Sequence, residues 1–146
     1  MKPLRLALGS DHAGFLLKEK LSKYLQENGH KVMDFGCYSE ERADYADFGH
    51  IVAHALEKDE ADFGILLCGS GNGINMSANK HKGIRAALCW KKEIAELARQ
   101  HNDANIITLP ARFITEEEAV RCLDVFLNTP FEGGRHADRV AKIDCQ

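Results

Sequence analysis

FGILLC at residues 63–68, followed at once by GSGNG at residues 69–73, is the stretch that says most about the architecture. A continuous apolar run of six residues is typical of a strand that is covered on both faces of a parallel sheet. Three glycines in five positions let backbone N–H groups point into a shared hollow. Such a hollow binds an anion when it lies at a helix N-terminus. A tight strand-to-helix turn without a ligand is the other interpretation. A nucleotide P-loop is disfavoured, because no Gly-Lys-Ser/Thr sequence closes the turn.

Short apolar runs alternate with helical patterns on both sides of this stretch. Gly29 follows the first helical pattern, where a left-handed residue is needed, and Thr115 with Glu118 forms a capping box that opens a later helix. This alternation predicts a parallel sheet with helices on both faces. We expect an α/β fold with three layers (α/β/α), a five-stranded parallel, Rossmann-like sheet and a single domain over residues 1–146. Strands are predicted at 4–9, 30–36, 63–68, 84–90 and 104–109, and helices at 13–28, 46–59, 74–80, 91–101, around 120–127 and from 134 towards 143.

Size and charge limit the classes of function. The 146 residues, 45% of them hydrophobic, are enough for one full core. A formal net charge of −3 with interspersed signs gives no electrostatic footprint for nucleic acid or an anionic membrane. No apolar run approaches the ~20 residues that span a bilayer, and the N-terminus lacks the apolar region of a signal peptide. Any basic site must therefore be local.

The five cysteines, at positions 37, 68, 89, 122 and 145, are odd in number and contain no C-x-x-C pair. This spacing excludes an obvious zinc ribbon or thioredoxin motif and favours reduced thiols in the cytoplasm. Cys68 ends the central strand, where a thiol is either a buried structural group or a reactive one. A helix N-terminus beyond it favours the thiolate, which is a workable base for a carbon acid near neutral pH.

Two polar segments accompany Cys68. Asp11 and His12 follow the first strand, and ligands of such sheets bind beyond the carboxyl ends of strands. Asp11 is equally a candidate N-cap of the first helix. His101 stands where the fourth helix ends, and it is either a surface imidazole or a group that gives a proton to a ring oxygen.

Arginines provide a candidate anion site. Arg135 and Arg139 share one face of the last helix at i and i+4 and, with Arg112, could form a cage for a dianionic phosphate. The alternative is a solvated helix face. Glu132 and His136 are interpreted as surface or capping groups.

Taken together, these segments resemble the ribose-5-phosphate isomerase B family, which also contains the galactose-6-phosphate isomerase subunits. The resemblance runs from residue 9 to residue 139, and several motifs in the right order are more specific than one glycine loop. The matching motifs are Gly9-Ser10-Asp11-His12-Ala13-Gly14, Asp44-Tyr45, Cys68-Gly69-Ser70-Gly71-Asn72-Gly73, Ala78-Asn79-Lys80, Gly83-Ile84-Arg85-Ala86, Arg99-Gln100-His101-Asn102-Asp103-Ala104-Asn105, and Glu132-Gly133-Gly134-Arg135-His136 with Arg139.

The resemblance implies aldose–ketose isomerisation between ribose 5-phosphate and ribulose 5-phosphate, without metal or cofactor. It implies a homodimer, in some members a homotetramer, with active sites at the subunit interface. By the same resemblance Cys68 is the general base between C2 and C1, and Ser70 assists transfer between the oxygens. His101, with Asp11 or Asp44 as its counterpart, opens the sugar ring.

The resemblance also implies a set of substrate-binding residues, some of them from the partner subunit. Tyr45 would flank the sugar ring and Asn102 would bond a hydroxyl. The enediolate would be held by the N–H groups of residues 69–74, including Gly69, Gly71, Asn72 and Gly73. The phosphate would be held by His12, Arg112, Arg135 and Arg139.

Two departures from the family pattern bear on the base. Many members have threonine where this chain has Ser70, and one branch uses a glutamate where this chain has Ile74. Isoleucine cannot be a base, so the role falls to Cys68. The chain keeps both Cys68 and His101, which favours a self-sufficient homo-oligomer over a pair of unlike subunits.

Other functions stay open at this point. The same chemistry could act on a six-carbon substrate such as allose or galactose 6-phosphate. A non-catalytic sugar-phosphate-binding module is a second possibility, although such a module needs neither Cys68 nor His101. A thiol redox protein ranks last, because no resolving cysteine stands at C-x-x-C spacing.

Overall fold

The computed structural model describes residues 2–145, which form five strands and six helices. The elements follow one another as the sequence predicts, and a 3₁₀ turn at His12–Gly14 precedes the first helix. The strands are β1 (Arg5–Ser10), β2 (Lys31–Asp34), β3 (Phe63–Cys68), β4 (Ala86–Leu88) and β5 (Ile106–Pro110). The helices are α1 (Phe15–Glu27), α2 (Tyr45–Glu57), α3 (Asn72–Ala78), α4 (Lys92–Asn102), α5 (Glu116–Asn128) and α6 (Arg135–Val140).

The strands form one parallel sheet in the order β2-β1-β3-β5-β4. From β1 the chain passes to β2 on one side, and β3 then pairs with β1 on the other. The strand order therefore reverses between β1 and β3, and such a switch point opens a crevice at the carboxyl ends of the strands. Ser10 pairs with Leu67 at this edge, which brings the end of β1 beside the end of β3.

Helices cover both faces, which confirms the predicted three layers. Alternate residues of β3 face opposite sides: Ile65 and Leu67 join the core under α1, α4 and α5, whereas Leu66 and Cys68 join the core under α2 and α3. Each face buries apolar side chains, which is the reason for the continuous apolar run in β3. Cys68 consequently points towards the helices that carry Tyr45 and the glycine-rich loop.

Local capping follows the sequence closely. The Thr115 hydroxyl oxygen accepts a hydrogen bond from the Glu118 N–H at 3.1 Å, as the capping box predicts. Gly29 is left-handed with φ of +88°, and the His30 N–H reaches back to the Leu25 carbonyl at 3.1 Å. These two bonds cap the N-terminus of α5 and the C-terminus of α1, as predicted.

Several predicted boundaries were wrong, among them those of α3, β4 and α6. Helix α3 begins at Asn72, not 74, because left-handed Gly71 completes the turn inside the glycine-rich segment. Strand β4 has three residues in place of the predicted 84–90, since the Asn79 side chain bonds both main-chain groups of Ala86, at 2.8 and 2.9 Å. The last helix ends at Val140 and does not continue to 143. Among residues 2–145 no helix combines the length and apolar character needed to cross a bilayer.

Candidate active site

Asp11 and Cys68 lie at the switch point, at the ends of β1 and β3. Asp11 Oδ1 accepts hydrogen bonds from the N–H groups of Ala13 at 3.0 Å and Gly14 at 3.2 Å, so Asp11 does cap the first helical turn. Both side chains are nearly enclosed, with Asp11 6% and Cys68 4% exposed. The negative charge of Asp11 acts on the Cys68 thiol, which places the carboxylate and the sulfur in one crevice.

Backbone N–H groups surround the Cys68 sulfur. Burial is the largest influence and raises the pKa of the thiol, while the N–H groups of Ile74, Gly71 and Gly73 bond to the sulfur and act to lower that pKa. The predicted effect of the helix start is thus present. In the isolated chain burial outweighs these donors, so the pKa of the Cys68 thiol is raised.

Two other buried thiols show how strongly burial raises the pKa of a cysteine in this protein. Burial raises the pKa of Cys89 to about 12 and that of Cys122 to about 11. Neither has backbone donors aimed at its sulfur in the way that Cys68 does. These two residues are the structural thiols, packed in the core under α4 and α5.

The glycines of the loop serve different geometric purposes. Gly71 has φ of +82°, and a Cβ there would strike the Leu88 side chain. At Gly73 a Cβ would lie 2.5 Å from Cε1 of the Tyr45 ring, so this ring covers the loop. The loop therefore presents main-chain atoms without side chains to the crevice, and the Tyr45 ring covers the part of it at Gly73.

Ser70 and Asn72 shape the turn itself. The Asn72 N–H donates to the Ser70 hydroxyl oxygen at 3.2 Å. This bond fixes the oxygen and leaves the hydroxyl proton able to donate elsewhere. Both side chains face the open side of the loop.

His12, Asp44 and Tyr45 form one wall of the crevice. Nδ1 of His12 lies 3.2 Å from the Ala43 N–H and 3.3 Å from the Ala43 carbonyl oxygen, so the main chain at Ala43 holds the ring on this side. Asp44 is the exposed N-cap residue of α2 and makes no side-chain capping bond, and Tyr45 is the first residue of that helix. Nε2 of His12 and the Asp44 carboxylate thus remain able to bind a ligand.

Arg112 forms the opposite wall, in the turn after β5. Its N–H donates to the Gly69 carbonyl at 3.0 Å, and a Cβ on Gly69 would lie 3.3 Å from its Nη1. The guanidinium therefore stands directly beside the glycine loop. The carboxyl edge of the sheet brings together the predicted residues Asp11, His12, Asp44, Tyr45, Cys68, Gly69, Ser70, Gly71, Asn72, Gly73 and Arg112.

The remaining predicted residues form a second cluster. The rings of His101 and His136 stack with centroids 4.2 Å apart and 11° between their planes. Glu132 Oε1 lies 3.9 Å from Nε2 of His101 and 3.5 Å from Nε2 of His136. Arg135 and Arg139 stand one turn apart on α6, as the spacing predicts, and Asn102 follows His101 at the end of α4.

Partial desolvation and the nearby positive charges of His101 and Arg135 lower the pKa of His136. The cluster thus combines two stacked imidazoles and the Glu132 carboxylate with the two arginines of α6. Sequence reasoning missed Glu132 and His136 as members of the cluster. Their i, i+4 spacing inside a matched motif was the available signal, and the burial of His136 was not visible in the sequence.

Within one chain these clusters are far apart. Helix α4 runs back across the sheet, and His101 lies only five residues before β5 begins at Ile106, at the amino edge. Cys68 ends β3 at the other edge, and the length of this strand separates the two edges by about 16 Å. One protomer therefore does not pair its own His101 with Asp11 or Asp44, and the carboxylate that His101 approaches in its own chain is Glu132.

A profile of the family described as Ribose/Galactose Isomerase matches residues 6–143. The chain belongs to the ribose/galactose isomerase family. Ribose-5-phosphate isomerase B of Escherichia coli K12 is 44% identical over 139 residues, which are 95% of this chain and 93% of that protein. The match thus includes both clusters.

Solved structures of this family have the same fold. A ribose 5-phosphate isomerase from Thermotoga maritima is 52% identical, with a TM-score of 0.96 over 97% of each chain. Ribose-5-phosphate isomerase B from Mycoplasma genitalium, solved with bound ribulose 5-phosphate, is 43% identical, with a TM-score of 0.91 over 95% of this chain and 93% of that one. These likenesses confirm the predicted three-layer fold and the family named from the sequence motifs.

Proposed function

We propose that this protein is a metal-independent isomerase that interconverts ribose 5-phosphate and ribulose 5-phosphate, with Cys68 as its base. The observation that carries the proposal is the buried thiol at the switch point, directly before the glycine-rich loop at which α3 begins. A relative with 44% identity named ribose-5-phosphate isomerase B supports the choice of substrate.

The isomerisation is a proton transfer between neighbouring carbons. The Cys68 thiolate takes the proton from C2 of the open-chain aldose. The C2–H electron pair becomes the C1–C2 double bond, and the aldehyde oxygen becomes the enediolate oxyanion. A proton passes from O2 to O1 with help from the Ser70 hydroxyl, and Cys68 then returns its proton to C1. The product is the C2 ketone, and it carries solvent hydrogen on C1 to the extent that the Cys68 thiol exchanges its proton with water before delivery.

The glycine loop supplies the stabilisation that this path needs. Backbone donors held rigidly by the β3–α3 turn cost no reorganisation when the enediolate charge appears. Each donor of this kind contributes about 2.7–4 kcal/mol to barrier lowering. A positioned base adds roughly 10²–10⁴-fold in rate. The same donors stabilise the Cys68 thiolate, against the burial that raises its pKa.

The complete site is proposed to lie between two copies of the chain. One protomer contributes the Cys68 crevice with Asp11, Ser70, His12 and Arg112. The partner subunit contributes its amino-edge cluster: His101 for ring opening, Asn102 for a hydroxyl, and Arg135 and Arg139 for the phosphate. The separation of about 16 Å within one chain supports this division, because a single pentose phosphate cannot touch both clusters of one protomer.

Exposed apolar side chains beside the crevice also support a homodimer. Phe113, next to Arg112, is 75% exposed, and Met76, on α3, is 64% exposed. Large exposed apolar side chains are favourable places for a second protein chain to pack. We further propose a cytoplasmic location, since the cysteines at 37, 68, 89, 122 and 145 are free thiols.

A six-carbon sugar phosphate is the second candidate substrate, because the matching family is described by both ribose and galactose. The chemistry at C1 and C2 would be identical. The distance from the base to the phosphate cage would differ by one carbon. The ratio of kcat/KM for ribose 5-phosphate to that for allose or galactose 6-phosphate decides between them.

The test is incubation with ribose 5-phosphate in deuterated water containing EDTA, followed by NMR. We expect ribulose 5-phosphate to form with solvent deuterium on carbon. Cys68→Ala should lower turnover by at least about 10²-fold, while Cys145→Ala, which removes an exposed thiol, should leave it unchanged. Full turnover in Cys68→Ala would reject the base. Absence of conversion and exchange with five- and six-carbon substrates would favour a binding module.

A further inference from the structure

Three imidazoles and a carboxylate meet on the outer side of α2, away from the Cys68 crevice. His50, His54 and Glu57 occupy successive turns of α2, and His81 comes from the segment between α3 and β4. Residues four and three apart share one helix face, which explains how α2 presents these groups together. The mechanism proposed above uses none of them.

The contacts inside this cluster are short and form a chain. Glu57 Oε1 lies 2.9 Å from Nδ1 of His54 and 3.0 Å from Nδ1 of His81. Nε2 of His81 lies 2.7 Å from Nδ1 of His50. The His54, Glu57 and His81 ligand atoms all lie within 4.8 Å of one another.

From this geometry we propose that His54, Glu57 and His81 form a binding site for a divalent transition-metal ion of the zinc class. Two imidazole nitrogens and one carboxylate oxygen are a donor set that Zn²⁺ accepts in sites with an open fourth position. Ligand atoms in tetrahedral zinc sites stand about 3.3 Å apart, given bonds of ~2.0–2.1 Å. The two measured separations need to widen by only a few tenths of an ångström.

His50 supplies the outer support that metal-binding histidines require. With the metal on Nδ1 of His81, the proton of that ring lies on Nε2 and is donated to Nδ1 of His50. A partner on the second ring nitrogen fixes the tautomer and the orientation of a ligating imidazole. The carboxylate of Glu57 stays between the two ligating rings, where it neutralises part of the added charge.

The ion would join two elements that begin at the crevice. Helix α2 starts at Tyr45 and helix α3 starts in the glycine-rich loop, and the site connects the last turns of α2 with the segment after α3. The His81 side chain is only 13% exposed, whereas that of His54 is 57% exposed. The site is therefore supported by packing around His81 and open to solvent at His54. Its expected role is structural, clamping α2 to the end of α3.

The test uses the full chain, stripped with EDTA and then desalted. Zn²⁺ is titrated by calorimetry, and melting is followed with and without the ion. A ligand that binds only the folded state at about a hundred times its Kd should raise Tm by about 5–10 °C in a chain of this size. His54→Ala and Glu57→Gln should abolish one binding event per chain and its Tm increase. His50→Ala should weaken this event by about 10–100-fold.

His136→Ala is the matched control, because His101, Glu132 and His136 are the other group of potential ligands among residues 2–145. This control should retain the binding event that His54→Ala loses. Equal stoichiometry and Tm increase in wild type and His54→Ala would overturn the proposal, as would the absence of Zn²⁺ binding to the wild-type chain. The readouts do not depend on isomerase activity, so failure of the proposed function would leave this result interpretable.

Discussion

Two inactive variants should restore activity to each other when their subunits are mixed. Cys68→Ala removes the proposed base from the carboxyl-edge half of the site, and His101→Ala removes the proposed ring-opening group from the amino-edge half. These positions lie about 16 Å apart in one chain, so the two lesions fall in different halves of the proposed interfacial site. In a mixed dimer, one site then carries both lesions and the other site is intact.

The size of the recovery follows from counting sites. In a two-fold symmetric dimer, random exchange of equal amounts makes about half of the dimers mixed, and each has one intact site of two. Turnover per total site should therefore return to about a quarter of the wild-type value. The KM for ribose 5-phosphate should match that of wild type, because the recovered sites have every residue.

The assay mixes the purified variants, exchanges subunits in dilute urea, and measures formation of ribulose 5-phosphate after dilution. Exchange is verified with a tag on one variant. The matched control mixes Cys68→Ala with the double variant Cys68→Ala/His101→Ala, in which every site lacks the thiol, and no recovery is expected. If verified exchange gives no more turnover than the two separate variants, Cys68 and His101 act within one protomer and the division of the site is wrong.

Three further outcomes test local features. Gly73→Ala puts a methyl group 2.5 Å from the Tyr45 ring, so kcat/KM should fall by about 10–100-fold with little change in Tm; unchanged kinetics would contradict the proposed role of Tyr45. The hydrogen bond to Asp124 raises the pKa of Tyr24 to about 12. The neutral phenol therefore stabilises the fold fully below pH ~10, and this contribution is lost as pH rises to about 12. Ultraviolet titration should show one late tyrosine, which Asp124→Asn returns to the ordinary range. Phe126→Ala should lower the free energy of unfolding in urea by about 3–5 kcal/mol, since that ring is fully buried.

The sequence was sufficient for the architecture because its signals are local. The bounds of β3 match the predicted 63–68, since both faces of this strand are buried and the apolar run has no polar interruption. The caps at Thr115 and Gly29 also depend on a few neighbouring residues. The extent of β4 was less predictable, because the Asn79 side chain, from outside the strand, takes the place of a neighbouring strand at Ala86.

The candidate site was predictable as a set of residues but not as an arrangement. Asp11, Cys68 and the glycine loop meet because parallel strands end at one edge, which the alternating pattern implies. The position of His101 depends on the direction of α4 across the whole sheet. The net shift in the pKa of Cys68 depends on how deeply the thiol is enclosed, and burial of one sulfur is a property of the packed chain.

The shortness of the outer strands has a consequence for how copies of this chain associate. Strand β2 has four residues and β4 has three, and the Asn79 amide already occupies the outer side of β4 at Ala86. Edge strands as short as these offer a second chain few unpaired main-chain groups. Lateral growth by strand addition, whether into a continuous intersubunit sheet or into a fibril, is therefore disfavoured for the folded protein. The proposed homodimer would instead rely on side chains of helices and loops, where single substitutions adjust its strength without disturbing the sheet.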